Sequence, residues 1–219
     1  MQAGKLPLDL LAELLGKIDI DDPRVRLGPR PGEDAALIDL GDRYLVAKTD
    51  PVTFANDLIG WYLVQVNAND LAVMGATPHW LMATLLLTEQ TTAEQVHQIF
   101  DQMLEACGAL GVTLVGGHTE ITYGLPRPMA IGAMLGEVAR DKVTLTSGAK
   151  PGDSIVLIGA IAIEGTAILA REASEQLCQA GVDAGMIEAA REFLFAPGIS
   201  VVKAAAAARD AVKVHAMHD

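Results

Sequence analysis

Residues Ile59–Pro78, IGWYLVQVNANDLAVMGATP, decide how the rest of the chain is read. Leu63, Val66, Leu71 and Met74 recur at helical spacing, so the pattern predicts an α-helix. Asn67, Asn69 and Asp70 break the pattern in its middle, where an ordinary amphipathic helix keeps one side dry. A polar neighbour is therefore expected beside the helix. An aspartate flanked by amides is rich in oxygen acceptors and carries one negative charge, as a Mg²⁺ site requires. Three further stretches are candidates to converge on it: Gly32-Glu33-Asp34-Ala35-Ala36, Lys48-Thr49-Asp50-Pro51 and Gly116-Gly117-His118-Thr119-Glu120.

The sequence has 219 residues, 51% of them hydrophobic, which suits one large domain or two small ones around a substantial core. Its formal net charge of -12 argues against nucleic-acid binding by phosphate neutralisation, which needs clustered Lys and Arg. Small phosphate-bearing ligands stay open, because a metal ion supplies positive charge that the protein lacks. Cys107 and Cys178 form no CxxC or other metal-ligand spacing and read as reduced thiols. No apolar run approaches the roughly 20 residues of a membrane span, and no basic-then-apolar leader opens the chain, so the expected address is the cytoplasm.

Leu8–Leu15 predicts a short helix stopped by Gly16, and Asp19–Pro31 reads as a loop. Ala35–Leu40 and Tyr44–Ala47 flank a turn at Asp39-Leu40-Gly41-Asp42, which predicts a β-hairpin. Trp80–Leu87 reads as a buried strand. Thr92–Leu110 predicts a helix with a Thr92/Gln95 capping box, and the off-stripe His97 reads as a surface histidine. Val112–Val115 predicts a strand ended by the glycine pair, and Met129–Val138 predicts another. The order ββαβαββ indicates an α+β fold, with helices covering one face of a mixed sheet. Ser147–Asp153 is the boundary candidate, giving units of 1–147 and 148–219. The second unit is expected to open with a strand at Ser154–Ile158, continue through helices, use Ser200 to cap an alanine-rich helix, and close on a strand-like Val212–Val214. One clear strand is too few to close a layer, so this unit is expected to be incomplete.

Glycines directly after a strand let backbone N–H groups approach a phosphate, and they equally suit a plain strand-ending turn. Asp34, Asp50 and Asp70, each in a short polar interruption of an apolar segment, suit metal ligands displayed at element ends; any one alone also suits an ordinary loop carboxylate. His118 is a poor Mg²⁺ ligand, since a neutral imidazole favours Zn²⁺, and it equally suits donating a hydrogen bond to a phosphate oxygen. No P-loop, GxGxxG or GxSxG sequence is present.

Gly32-Glu33-Asp34-Ala35-Ala36, Thr49-Asp50, Asn67-Ala68-Asn69-Asp70-Leu71-Ala72-Val73-Met74-Gly75-Ala76 and Gly116-Gly117-His118-Thr119-Glu120, in that order, resemble the ATP-binding half of the AIR synthase superfamily. That superfamily includes aminoimidazole ribonucleotide synthase, thiamine-monophosphate kinase, selenophosphate synthetase and the hydrogenase expression/formation protein HypE. Asp50-Pro51, Gly165–Ala170 and Ala216–Asp219 most resemble the HypE group, whereas Gly28-Pro29 before Gly32-Glu33-Asp34 is similar to thiamine-monophosphate kinase. The resemblance implies an N-terminal α+β domain that dimerises through its sheet, followed by part of an α/β C-terminal domain. It also implies Mg-ATP bound along the dimer-facing groove. Carried over, Asp34, Asp50 and Asp70 match metal-binding aspartates. Asn67 and Gly116, Gly117, His118 and Thr119 lie near the phosphates, and Gly32, Glu33, Thr49 and Glu120 belong to the same nucleotide-binding motifs. Several members have Asp where this chain has His118, so that ligand is missing or replaced by Glu120. Members also continue past the equivalent of Asp219, so the second domain is expected to be cut short.

The resulting expectation is a Mg-ATP-dependent enzyme that phosphorylates an amide-type oxygen. For a HypE-like member the substrate is a carbamoylated cysteine, dehydrated to a cyano group during hydrogenase maturation. The expected partners are a second copy of the chain and a carbamoyl-transferring maturation protein. The alternatives are a thiamine-monophosphate-kinase-like enzyme and a non-catalytic nucleotide-binding assembly module. No side chain is assigned as the catalytic group.

Overall fold

The computed structural model describes residues 4–219. Helix α1 (Leu8–Leu15) forms where its apolar period predicts. The expected loop after it holds a short strand, β1 (Val25–Leu27), which pairs antiparallel with β2 (Ala36–Asp39). β2 turns tightly into β3 (Arg43–Val52), as the turn sequence predicts: Asp39 accepts the Gly41 N–H at 2.8 Å, and the Leu40 N–H reaches Arg43 O at 3.0 Å.

Next come α2 (Ile59–Val73), β4 (Thr77–Leu87), α3 (Ala93–Leu110), β5 (Thr113–Ile121) and β6 (Met129–Ala139). The α3 capping box is formed in both directions, and Gly111 ends the helix with φ 69°. The six strands make one mixed sheet in the order β1-β2-β3-β6-β4-β5, in which β4 and β5 alone run parallel. The fold is α+β.

Helices α2 and α3 cover one face of this sheet. Ala130, Met134 and Val138 of β6 and Leu81, Ala83, Leu85 and Leu87 of β4 are buried beneath them. The alternate positions face the other way, where Trp80 and Met82 are exposed. β4 is thus half-buried, although its sequence reads as a fully buried strand: its apolar residues occupy both faces, and helices cover one. The expected strand at Val112–Val115 is longer than predicted and contains the glycine pair. The Cβ of any larger residue at Gly117 (φ 150°) would collide with the Ala83 carbonyl on β4, so glycine there permits the strands to approach.

All of α2 is buried except Trp61 and Val66, which are half-buried. It packs between α3, the sheet and the later helix α7 (Val202–Ala211). A helix covered on every side needs no single apolar stripe. Its polar residues must instead find buried partners.

After β6 the chain forms α4 (Ile163–Glu172), α5 (Ser174–Gln179), α6 (Ala184–Arg191) and α7. Neither Ser154–Ile158 nor Val212–Val214 is a strand. A strand requires a ladder partner, and among the described residues these segments have none; Ile155, Val156, Leu157 and Ile158 are exposed. Ser200 does not cap α7, which has Val201 at its N-cap. Asn69 of α2 takes over at that end: its Oδ1 accepts the Val201 N–H and its Nδ2 donates to Ile199 O, both at 2.8 Å. No helix among the described residues is long and apolar enough to cross a membrane.

This clamp generates a stability prediction. Asn69→Ala leaves a backbone acceptor and a backbone donor without their partners, so the unfolding free energy in urea falls by about 1–3 kcal/mol. Asn69→Asp keeps the acceptor but sets a buried carboxylate against Ile199 O, so it loses at least as much.

Candidate functional site

On β3, Lys48 and Asp50 are two residues apart and point to the same face of the sheet, towards α2. Their neighbours on β6 are Met134 and Gly132. Gly132 leaves room for Asn67 of α2, since a Cβ there would stand 2.5 Å from Asn67 Nδ2. Asn67 is fully buried and commits its amide to backbone. Its Oδ1 accepts the Asp50 N–H at 3.0 Å, while its Nδ2 donates to Leu63 O at 2.9 Å and to Asp50 O at 3.3 Å. Asn67 thereby bolts α2 to β3 beside Asp50.

Asp70 follows Asn67 by three residues and turns towards the same strand. It is 5% exposed. Lys48 Nζ lies 2.9 Å from Asp70 Oδ2 and 3.8 Å from Asp50 Oδ2. Asp70 Oδ2 has no aligned hydrogen-bond donor, so its link to the ammonium is an ion contact of poor directionality. Asp34 approaches from the loop before β2: Thr146 Oγ1 donates to its Oδ2 at 3.1 Å, and His218 Nδ1 stands 3.9 Å from that oxygen. Gly32 makes the turn into this loop at φ 86°, and Glu33 Oε1 accepts the Ser147 N–H at 3.2 Å.

The electrostatics follow from this crowding. Desolvation is the largest influence on Lys48 and pulls it down, but contact with Asp70 and the charges of Asp70, Asp50 and Asp34 outweigh it, so its pKa rises. Burial pushes the Asp70 carboxyl up to about 6; Lys48 opposes this, and the charges of Asp219 and Asp50 add to it. Glu164, in the first turn of α4, is also raised, by burial and then by Asp219 and Asp50. Asp70 and Asp50 therefore flank the Lys48 ammonium, while Asp34 acts on Lys48, and Asp219 on Asp70 and Glu164, only as charges beyond ion-pair distance.

The glycine stretch is placed elsewhere. Asp50, Gly132, Ala83 and Gly117 stand in one row across β3, β6, β4 and β5, so Gly117 is three interstrand spacings from Asp50, about 14 Å. His118 and Glu120 alternate with Gly117 and face the open side of the sheet, as does Thr49, whose Oγ1 donates to Gly132 O at 2.8 Å. His118 Nε2 lies 2.9 Å from Glu120 Oε2, and Thr122 Oγ1 donates to Glu120 Oε1 at 2.8 Å. A cavity of about 390 Å³ opens between α3 and β5, bordered by Phe100, Met103, Leu114, Gly117 and Thr119. Within one copy, the glycine stretch and the aspartates do not meet.

Sequence reasoning did not single out Lys48, Glu164 or Asp219 as site residues. The signal for Lys48 was present, since a residue two before Asp50 on a strand shares its face; nothing local marks Glu164. As to a metal, the hard oxygen donors and the buried, undirected Oδ2 of Asp70 suit Mg²⁺. Among the described residues, however, no three carboxylate, histidine or cysteine groups are grouped around one ion position, and the two carboxylates nearest one another flank the Lys48 ammonium.

Residues 32–138, which hold all these elements except Thr146, Ser147, Glu164 and the last residues of the chain, match the family model described as AIR synthase related protein, N-terminal domain. The chain carries an AIR synthase-related domain. A hydrogenase expression/formation protein of Methanocaldococcus jannaschii is 30% identical over 172 residues, covering 76% of this chain and 51% of that protein. Carbamoyl dehydratase HypE of Rhizobium leguminosarum bv. viciae is 28% identical over 152 residues, covering 65% of this chain and 43% of that one. The crystal structure of thiamine monophosphate kinase from Aquifex aeolicus superposes with a TM-score of 0.63 at 19% identity, covering 92% of this chain and 63% of that chain, a likeness of fold. The chain spans about half the length of the two curated relatives.

The Asp70 environment in this AIR synthase-related domain has a measurable consequence. The folded-state value of about 6 lies above the ordinary aspartate value of 3.8, so the folded protein binds this proton more tightly than the unfolded chain. The ionised carboxylate lowers stability above about pH 6, and that loss fades as pH falls towards 4. Compared with Asp70→Asn by denaturant melts, the native protein loses roughly 2–3 kcal/mol of relative stability between pH 4 and pH 7.

Proposed function

We propose that this chain belongs to a Mg-ATP-dependent enzyme of the HypE kind, which activates an amide-type oxygen by phosphorylation. The observation that carries this reading is the meeting of Asp50 and Asp70, from two separate motifs of an AIR synthase-related domain, at one cationic position that the charge of Asp34 also reaches. The relative named as a carbamoyl dehydratase supplies the reaction class. In that reaction the carbamoyl oxygen of a carbamoylated cysteine attacks the γ-phosphorus and ADP leaves. The carbon–oxygen bond then breaks, phosphate departs, and the carbamoyl nitrogen releases two protons to leave a cyano group.

Asp34, Asp50 and Asp70 would hold Mg²⁺, which when bound offsets the repulsion between a triphosphate and this acidic surface. The chain's own work is positioning. Asn67 fixes Asp50, Thr146 fixes Asp34, and the packing of α2 holds Asp70 against β3. The separation of the glycine stretch from the aspartates supports a homodimer, in which the second copy brings its own β5 and open sheet face to complete a nucleotide groove. Val115, Ile121, Trp80 and Met82, all exposed, give that contact apolar surface.

Three measurements test this reading. With Mg-ATP and a carbamoylated cysteine peptide, the expected products are ADP and the cyano peptide, lighter by one water; ADP formed with thiamine monophosphate instead identifies the kinase alternative, and nucleotide binding without ADP identifies an assembly module. Asp70→Asn weakens Mg-ATP binding at least about tenfold by calorimetry while the circular dichroism spectrum is kept. Light scattering finds a dimer at micromolar concentration, and a monomer removes the shared groove.

A further inference from the structure

Lys48 is an unusual tenant for an acidic ligand site. It lies on the helix-facing side of β3 with its side chain 21% exposed, and its ammonium contacts both Asp70 and Asp50. Among the described residues no other lysine or arginine stands within ion-pair distance of Asp34, Asp50 or Asp70. Asp70 Oδ2 is buried without an aligned donor, so the ammonium compensates charge there without satisfying directional bonding. A divalent ion placed among the same oxygens would meet an ammonium already less than 4 Å from two of them. Two cations at that separation repel strongly in a half-desolvated site.

We infer that Lys48 is the built-in counter-ion of this site: it holds Asp70 and Asp50 together while nucleotide is absent, excludes a free divalent ion, and releases the carboxylates when a triphosphate offers its oxygens as new partners. The long, flexible arm of lysine suits a move of this kind, since a compact ammonium on four methylenes changes partners without moving its strand. Metal loading is then tied to nucleotide arrival. Lys48 acts as a positioning residue, and the inference rests on the metal-nucleotide reading proposed above.

The test is a Mn²⁺ titration of the full chain, followed by calorimetry and by the electron paramagnetic resonance signal of free Mn²⁺, with and without a non-hydrolysable ATP analogue. In the native protein Mn²⁺ binds weakly alone and tightly with the analogue. Lys48→Met keeps the length and apolar stem but removes the charge; it binds Mn²⁺ alone at least about tenfold more tightly and loses most of the gain given by the analogue. Lys48→Arg keeps the charge and behaves like the native protein. A purely structural lysine predicts the opposite sign, because a loosened site binds metal less well. If Lys48→Met leaves metal affinity unchanged or weakened while the native protein still binds Mn²⁺ with the analogue, the counter-ion role is wrong and the nucleotide reading survives. If the native protein binds neither, both fall. Should Lys48→Met fail to fold, Lys48→Gln takes its place with the same expected sign.

Discussion

The contact between the Lys48 ammonium and the Asp70 carboxylate, closed in between β3 and α2, is the constraint to which the surrounding structure answers. Charges taken out of water lose hydration that a single pair repays poorly, and Asp70 shows the imbalance by holding its proton up to about pH 6. A chain selected for stability alone would fill this gap with apolar side chains. Here two carboxylates flank one ammonium, while the most deeply packed helix of the domain carries one of them and fixes the strand that carries the other. Strongly perturbed carboxyls in a cluster of this sort mark places where a fold gives up stability for binding or chemistry.

The sheet sorts the motifs by the two-residue period of its strands. Lys48 and Asp50 face α2, whereas Thr49 between them faces the uncovered side; on β5, Gly117 faces the helices, whereas His118 and Glu120 do not. Motifs that look contiguous along the sequence are therefore divided between two surfaces. A nucleotide drawing on both needs a route around the sheet or a second sheet laid against the first. Exposed apolar residues lie on the uncovered face and on the β5 edge.

What could be read from the sequence was what depends on near neighbours. The α1 and α3 patterns, the Thr92/Gln95 box, the Asp39–Asp42 turn and the Met129–Val138 strand all show in short stretches of sequence, and each is found in place. Asp70 was also legible, because a carboxylate in the middle of an apolar helix needs a reason to be there. Long-range pairing was not. The Ser154–Ile158 run has the composition of a strand, but composition does not supply a partner. The glycine pair looked like the end of a strand because glycine usually weakens one, and the close approach of β4 that makes Gly117 necessary is invisible along the chain. Lys48 carries no local mark of its role, since a lysine beside an aspartate on a strand is common and its partner Asp70 stands 22 residues away on α2.

The three polar residues of α2 looked like one wet side of a helix, and helical geometry shows why they are not. At roughly 100° per residue, Asn69 lies about 200° around the axis from Asn67, whereas Asp70 lies only about 60° from it. Asn67 and Asp70 must therefore face one neighbour, and Asn69 must face away. Asn67 and Asp70 meet β3, and Asn69 meets the segment leading into α7. A helix with polar needs on opposite sides is stable only when both sides are covered by groups that can answer them. The same residues that bring Asp70 to Lys48 thus require the later part of the chain to close over α2. It follows that the seating of α2 depends on Ile199 and Val201 as well as on its contacts with β3. Loss of that cover would strand the buried Asn69 amide and loosen the helix that carries Asp70 against β3.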